Sequence, residues 1–134
     1  MTVFVDASFL IALFNKDDQL HQKATELTLR LEKQKSRFII SNIVLAETIS
    51  VTFRLKGGKA AKKFYHFFQK TEIEEFFVPK TVFLRAYSLL WQERKRGLNF
   101  FDCLHLATMK HLKIKTLLTF DEGFKRRKIK IVGI

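Results

Sequence analysis

Short runs rich in β-forming residues alternate with longer helical patterns, and this alternation constrains the fold more than any other feature of the chain. The sequence predicts strands at residues 2–5, 38–40, 75–78, 116–119 and 128–132. It predicts helices at residues 7–14, 21–35, 42–55, 59–70, 81–95 and 101–111. Strands that are separated by helices usually run parallel, so we expect an α/β fold with a mainly parallel sheet of about five strands that is covered on both faces. In such sheets ligands bind beyond the carboxyl ends of the strands.

The bulk properties of the chain narrow its organisation and its partners. A length of 134 residues predicts a single domain spanning residues 1–134. Twenty-five Lys and Arg against thirteen Asp and Glu give a net charge of +12, which favours nucleic acid ahead of an acidic membrane or protein surface. Fifteen phenylalanines are many for this length, and some of them are expected to lie in an exposed interface, which predicts a homodimer.

Three further observations concern location. Cys103 is the only cysteine, so an intramolecular disulfide and a paired-thiol metal site are both excluded. The apolar start of the chain lacks a basic n-region and carries Asp6, so it is interpreted as a strand and a helix rather than a signal peptide. No apolar run reaches the roughly 18 residues of a membrane span. We therefore expect a cytoplasmic protein without a membrane partner.

Four acids stand in apolar surroundings, whereas the other nine have polar neighbours. They are Asp6 in VFVDASFL, Glu47 in IVLAETIS, Asp102 in NFFDCLHLA and Asp121 in TLLTFDEGF. Asp6 and Asp121 each follow a predicted strand, Glu47 lies early in a helix, and Asp102 opens another. A carboxylate in an apolar setting is costly unless it is paired or binds a metal. The placement predicts that all four converge at one edge of the sheet.

Converging carboxylates would repel one another, and a hard divalent cation such as Mg²⁺ or Mn²⁺ removes that repulsion. A metal held by carboxylates can activate water and stabilise charge during phosphodiester cleavage. Each acid also has a purely structural interpretation. Asp6, Asp102 and Asp121 could be helix N-caps, and Glu47 could pair with a buried arginine. Four acids with matching placement nevertheless favour a catalytic metal site.

The same four segments resemble the PIN-domain family, and most closely the toxins of VapBC toxin–antitoxin pairs. The segments VDASFLIALF, SNIVLAET, NFFDCLHLAT and LLTFDEGF are similar to the four acid-bearing segments of that family in order and spacing. The resemblance implies a three-layer α/β/α sandwich and a metal-dependent ribonuclease that is silenced by a small antitoxin. It also implies that Asp6, Glu47, Asp102 and Asp121 are the catalytic metal ligands.

Several other residues are candidates for supporting roles. Ser8 occupies a position where the family often keeps a supporting hydroxyl, and a helix cap is an equal alternative. Asn99 stands where the family usually has Ser or Thr, and it is predicted to contact phosphate or water. Lys125, Arg126, Arg127 and Lys128 follow Asp121 and are predicted to guide RNA, with a solvated turn as the alternative. His105 is expected to pack or to support a ligand rather than to catalyse.

Two other functions compete with a metal-dependent endoribonuclease. A non-catalytic RNA-binding or assembly domain could keep the fold, although retention of four acids disfavours binding to a polyanion. An aspartyl-phosphate phosphatase usually needs a second Asp two residues after the first, where this chain has Ser8.

Overall fold

The computed structural model describes residues 1–93, 95, 97–125 and 128–134. Its centre is a five-stranded, wholly parallel sheet in the order β3-β2-β1-β4-β5. The strands are β1 Thr2–Val5, β2 Arg37–Ser41, β3 Glu74–Phe76, β4 Thr116–Leu118 and β5 Lys130–Val132. The helices are α1 Ala7–Phe14, α2 His21–Lys33, α3 Asn42–Lys56, α4 Gly58–Gln69, α5 Lys80–Glu93 and α6 Phe100–Leu112. These elements confirm the predicted three-layer α/β/α sandwich.

The strand order reverses direction at β1. The chain moves from β1 to β2 to β3 on one side and then crosses to β4 and β5 on the other. Right-handed crossovers then place α1 to α4 on one face of the sheet and α5 with α6 on the other. The helix contacts divide in the same way, because α1 packs on α2 and α3, α3 on α4, and α5 on α6. In open parallel sheets the ligand crevice lies where the order reverses, which in this fold is at the carboxyl ends of β1 and β4, and we call this region the crevice.

Two apolar clusters hold the layers together. The larger one joins the sheet to α1–α4 and includes the fully buried rings of Phe4, Phe9 and Phe124. The smaller one lies between α5 and α6 and consists of Val82, Ala86, Leu98, Cys103, Leu104 and Ala107. Both clusters follow the predicted helical and strand periodicities, in which apolar residues recur on one face.

The predicted elements are found with small shifts at their ends. Ser41 is the N-cap of α3, and its hydroxyl accepts a hydrogen bond from the amide of Val44 at 3.1 Å. The sequence pattern extends the third strand to Val78, but the strand stops at Phe76. The side-chain oxygen of Asn42 accepts from the Val78 amide at 2.7 Å, so that N–H does not extend the strand. Within the described residues, no helix is both long and apolar enough to cross a bilayer.

Candidate functional site

Asp6 is the most buried of the four acids, with 4% of its surface exposed. It follows β1 directly and is the N-cap of α1, where its Oδ1 accepts from the Phe9 amide at 3.0 Å. The Ser8 hydroxyl donates to Oδ1 at 2.8 Å, and the Thr119 hydroxyl donates to Oδ2 at 2.5 Å. Burial raises the pKa of Asp6, and these three hydrogen bonds oppose that rise.

Thr119 links the carboxyl ends of the two strands that flank the crevice. It directly follows β4, and its Oγ1 also accepts from the Asp121 amide at 2.9 Å. The Asp6 amide donates in turn to the carbonyl of Leu118 at 3.2 Å. Sequence reasoning missed Thr119 because its contact with Asp6 joins residues 113 positions apart. The sequence feature that could have identified Thr119 is a hydroxyl side chain at the end of a buried strand, two residues before a candidate ligand.

Glu47 lies in the second turn of α3, and its side chain is partly exposed. Its Oε1 lies 2.7 Å from Nε2 of His105, which belongs to α6 and is buried. The other ring nitrogen, Nδ1, has no hydrogen-bond partner among the described residues. His105 therefore supports Glu47, in agreement with the expectation that it packs or assists a ligand. The structural interpretation of Glu47 predicts a buried arginine as its partner, but the partner is a histidine.

Asp102 and Asp121 are both tied to the backbone at the starts of helices. Asp102 forms a capping box with Asn99, in which its Oδ2 accepts from the Asn99 amide at 3.2 Å and its own amide donates to Asn99 Oδ1 at 2.9 Å. Asp121 caps the short 3-10 helix Glu122–Phe124, with Oδ1 accepting from the Gly123 amide at 2.8 Å. Asn99 thus has a local structural role, and its contact with phosphate stays a prediction.

The four carboxyl groups share one electrostatic environment. Burial raises the pKa of Asp102, and the negative charges of Asp121 and Glu47 raise it further. His105 opposes the rise for Asp102 and for Asp6, so both lie within its electrostatic reach. Asp102 thus interacts electrostatically with Glu47 and Asp121, and Asp6 is linked to them through His105 and through Thr119, which also accepts from the Asp121 amide.

Hydrogen bonds orient all four carboxylates. In each of Glu47, Asp102 and Asp121, one carboxylate oxygen forms a hydrogen bond with a described residue, and the other oxygen forms none. Asp6 accepts three hydrogen bonds, and a carboxylate offers about four lone-pair sites. The side chains are thus oriented, and each keeps at least one acceptor position for a ligand.

Oxygen donors of this kind suit a hard divalent cation. In the part of the chain that the structure describes, no three His, Cys, Asp or Glu side chains lie close enough to enclose a metal ion. Mg²⁺ is usually bound by one or two carboxylates with water and substrate phosphate completing its shell, so it does not require three protein side chains in direct contact. The donor set therefore fits such an ion in chemical type, with few direct protein ligands.

The two described lysines of the basic run after Asp121 lie in different surroundings. Lys125 pairs with Glu122 at 3.2 Å, and both side chains are exposed. Lys128 instead lines a separate groove beside the end of α6. Arg126 and Arg127 lie outside the described residues, so their predicted role in guiding RNA stays a prediction.

The fold and this arrangement of acids can be compared with known proteins. The sequence profile described as "PIN domain" matches residues 3–130. The chain belongs to the PIN-domain family. No curated protein matches it by sequence.

Solved structures of VapC-type toxins share the fold. The toxin VapC20 of Mycobacterium tuberculosis, described as cleaving the sarcin-ricin loop, superposes with a TM-score of 0.83 at 28% identity, over 98% of both chains. VapBC2 of Rickettsia felis gives 0.73 at 21% identity, over 98% of both chains. VapBC-1 of nontypeable Haemophilus influenzae gives 0.70 at 15% identity, over 98% of this chain and 97% of that one.

Proposed function

We propose that this PIN domain, residues 1–134, is a metal-dependent endoribonuclease and the toxin of a toxin–antitoxin pair. The observation that carries the proposal is the placement of Asp6, Glu47, Asp102 and Asp121 at the carboxyl edge of the sheet, each oriented by hydrogen bonds and each with an acceptor position that no described residue uses. A non-catalytic RNA-binding domain would gain affinity by losing these charges, because they repel phosphate. Retention of all four therefore favours catalysis.

A bound Mg²⁺ or Mn²⁺ would supply a Lewis acid for the phosphate and a more acidic water. Asp6, Asp102, Asp121 and Glu47 are the residues that would hold it. The protein's own contribution is orientation. Ser8 and Thr119 fix both oxygens of Asp6, His105 fixes Glu47, and the Asn99 cap fixes Asp102. Such supporting contacts commonly change metal affinity or activity by about 10- to 100-fold.

The proposed substrate is RNA in the cytoplasm, attracted by the net charge of +12. Long-range attraction is required here because the crevice itself is acidic. Lys125, Arg126, Arg127 and Lys128 are proposed to guide the strand towards it, and Asn99 with Ser8 to contact phosphate or water. VapC20 is described as cleaving the sarcin-ricin loop, which makes a structured RNA a reasonable first substrate to try.

The proposed protein partners are a small antitoxin and a second copy of the chain. Structures similar in fold were determined as VapBC complexes, which supports an antitoxin partner. We propose that this antitoxin lies across the acidic crevice. Large apolar side chains are exposed on one stripe of α5, namely Leu84, Tyr87 and Trp91. Their spacing of three and four residues places them on one helical face, which suits a dimer contact. Sedimentation that finds only monomer at millimolar concentration would remove the dimer.

Incubation of the purified chain with labelled structured RNA tests the function directly. Cleavage should require Mg²⁺ or Mn²⁺ and should stop in excess EDTA. The Asp6→Asn protein, purified in the same way, controls for contaminating nucleases. Equal cleavage by the wild type and by Asp6→Asn, or cleavage by demetallated protein in EDTA, would contradict the proposal.

A further inference from the structure

A large groove lies on the other half of the molecule from the acids. It has a volume of about 1230 Å³ and is formed by α5, the end of α6, and the segments that lead into β4 and β5. Its apolar floor includes Leu89, Leu106 and Ile114. Its charged walls consist of five cations, which are Arg85, Lys110, Lys113, Lys115 and Lys128. We call this surface the basic groove.

The basic groove contains no acid among the described residues that line it, and none of its five cations forms an ion pair with a described residue. The corresponding region beside β2 and β3 is different. Arg37 is paired there with Glu74 at 2.7 Å, and the pocket between α1, α2 and β2 is lined by Glu32 and Glu72. Most cations elsewhere in the described chain are also unpaired, so what distinguishes this groove is that five cations line one concave surface on which no acid stands among the described lining residues.

Helix geometry accounts for only part of this charge. Lys110 and Lys113 stand at the end of α6, where cations stabilise the negative end of the helix dipole. Arg85 lies in the middle of α5, and Lys115 and Lys128 lie outside helices. The Lys130 amide donates to the Lys115 carbonyl at 2.8 Å, so the segments leading into β4 and β5, which carry Lys115 and Lys128, run next to each other. Three of the five cations thus have no role in helix stability.

The basic groove lies at the amino ends of the strands, and the acids lie at the carboxyl ends. Lys115 precedes β4 and Asp121 follows it, six residues further along the chain. At about 3.3 Å per residue this separation reaches roughly 20 Å. One phosphate cannot contact both sites. At about 3.4 Å per nucleotide, a stacked strand needs roughly six nucleotides to span them.

We propose that the basic groove is a second RNA-binding surface, which holds the phosphate backbone of the substrate away from the acidic crevice. Five exposed cations on one concave surface suit a polyanion with several phosphates, whereas a flat lipid surface would reach only the rim of the groove. The proposal rests on the proposed function for the identity of the ligand as RNA. It adds that the substrate is an RNA longer than about six nucleotides.

The test compares two variants with the same change in charge. The groove variant carries Arg85→Gln, Lys110→Gln and Lys115→Gln. The control variant carries Arg30→Gln, Lys33→Gln and Lys70→Gln, three exposed cations on the side of the sheet that holds β2 and β3. Binding of a fluorescent single-stranded RNA of about 20 nucleotides, long enough to span both sites, is measured by anisotropy between low and high salt. EDTA is present throughout, and a gel afterwards checks that the RNA is intact.

The groove variant should lose about two units of slope in the plot of log Kd against log salt, since each phosphate contact on a single strand contributes about 0.7. Its affinity at low salt should fall at least tenfold, while the control variant keeps both values. Lys115→Gln alone should reduce the slope by about 0.7 units, which protects the test against misfolding of the triple variant. Equal reductions in the groove and control variants would overturn the proposal.

Polyglutamate and vesicles containing phosphatidylserine serve as competing probes in the same assay. Suppose that one of these probes binds the wild type more tightly than RNA does, and that only the groove variant binds the probe more weakly. The groove would then belong to an acidic protein or to a membrane, and the proposal would be overturned. The RNA result is independent of catalysis. A protein that binds RNA through the groove without cleaving it would contradict only the proposed function.

Discussion

The carboxyl and amino edges of the central sheet are built from the same kinds of element but carry opposite charge. At the carboxyl edge, Asp6, Asp102 and Asp121 begin helical turns. At the amino edge, Lys110 and Lys113 stand where α6 ends. Helix dipoles favour this sorting in any parallel α/β protein, with acids at helix N-termini and bases at C-termini. Charge at either edge therefore supports a function only where helix capping and the helix dipole do not already explain it.

At each edge, some charged residues are not explained by capping. At the carboxyl edge, Glu47 lies beyond the first turn of its helix, and Asp6 is buried at a cost that shows in its raised pKa. At the amino edge, Arg85, Lys115 and Lys128 cap no helix and pair with no described acid. These remaining charges are the ones on which the proposals of phosphate chemistry at one edge and polyanion binding at the other depend.

The largest expected effect is on catalysis at the carboxyl edge. Asp6→Asn removes a charged ligand but keeps the side-chain volume and the oxygen that accepts from the Phe9 amide. Metal ligation contributes several kcal/mol to the transition state, so RNA cleavage should fall by about 100-fold or more. Asp18→Asn, at an acid away from the crevice, is the matched control and should cleave as the wild type does. Nearly wild-type turnover in Asp6→Asn or Asp102→Asn would show that the site is misplaced.

A second expected effect is on stability without metal. Asp6 and Asp102 have raised pKa values, so the folded protein binds their protons more tightly than the unfolded chain does. This contribution is present below the ordinary carboxyl pKa of about 4 and is lost as pH rises through the raised values. In EDTA, the stability of the double variant Asp6→Asn/Asp102→Asn relative to the wild type should therefore rise between about pH 4 and pH 8. Urea unfolding at both pH values measures this change, and a difference that stays constant would contradict it.

The positions of strands, helices and acids could be predicted because local patterns determine them. Binary periodicity located all five strands, and the apolar setting of the four acids located the candidate site. The supporting contacts could not be predicted, because Thr119 reaches Asp6 across 113 positions and His105 reaches Glu47 across 58. The same limit applies to Phe67. Helical spacing places it on the apolar side of α4, but it is 45% exposed. The sequence alone does not show how far the neighbouring elements cover that side.

A smaller effect tests whether positive charge near Asp121 acts separately from the basic groove. Replacing Arg126 and Arg127 with Gln should raise KM at low salt, change kcat little, and reduce the salt slope by about 0.7 units for each phosphate that is no longer bound. The control Arg30→Gln/Lys33→Gln has the same charge change and should alter neither quantity. Steady-state cleavage at several salt concentrations measures both. An unchanged KM and slope would instead indicate a solvated turn.

The central claim is that the four carboxylates at the carboxyl edge hold a divalent metal. Thermal unfolding during titration with Mn²⁺ tests it without any assumption about the RNA substrate. A ligand that binds only the folded state raises the melting temperature, and metal at about 100 times its Kd should add about 2.7 kcal/mol of stability. The wild type should therefore show a saturable rise that EDTA reverses, and Asp102→Asn should show much less. A wild type that does not respond to Mn²⁺, or an equal rise in Asp102→Asn, would contradict the account.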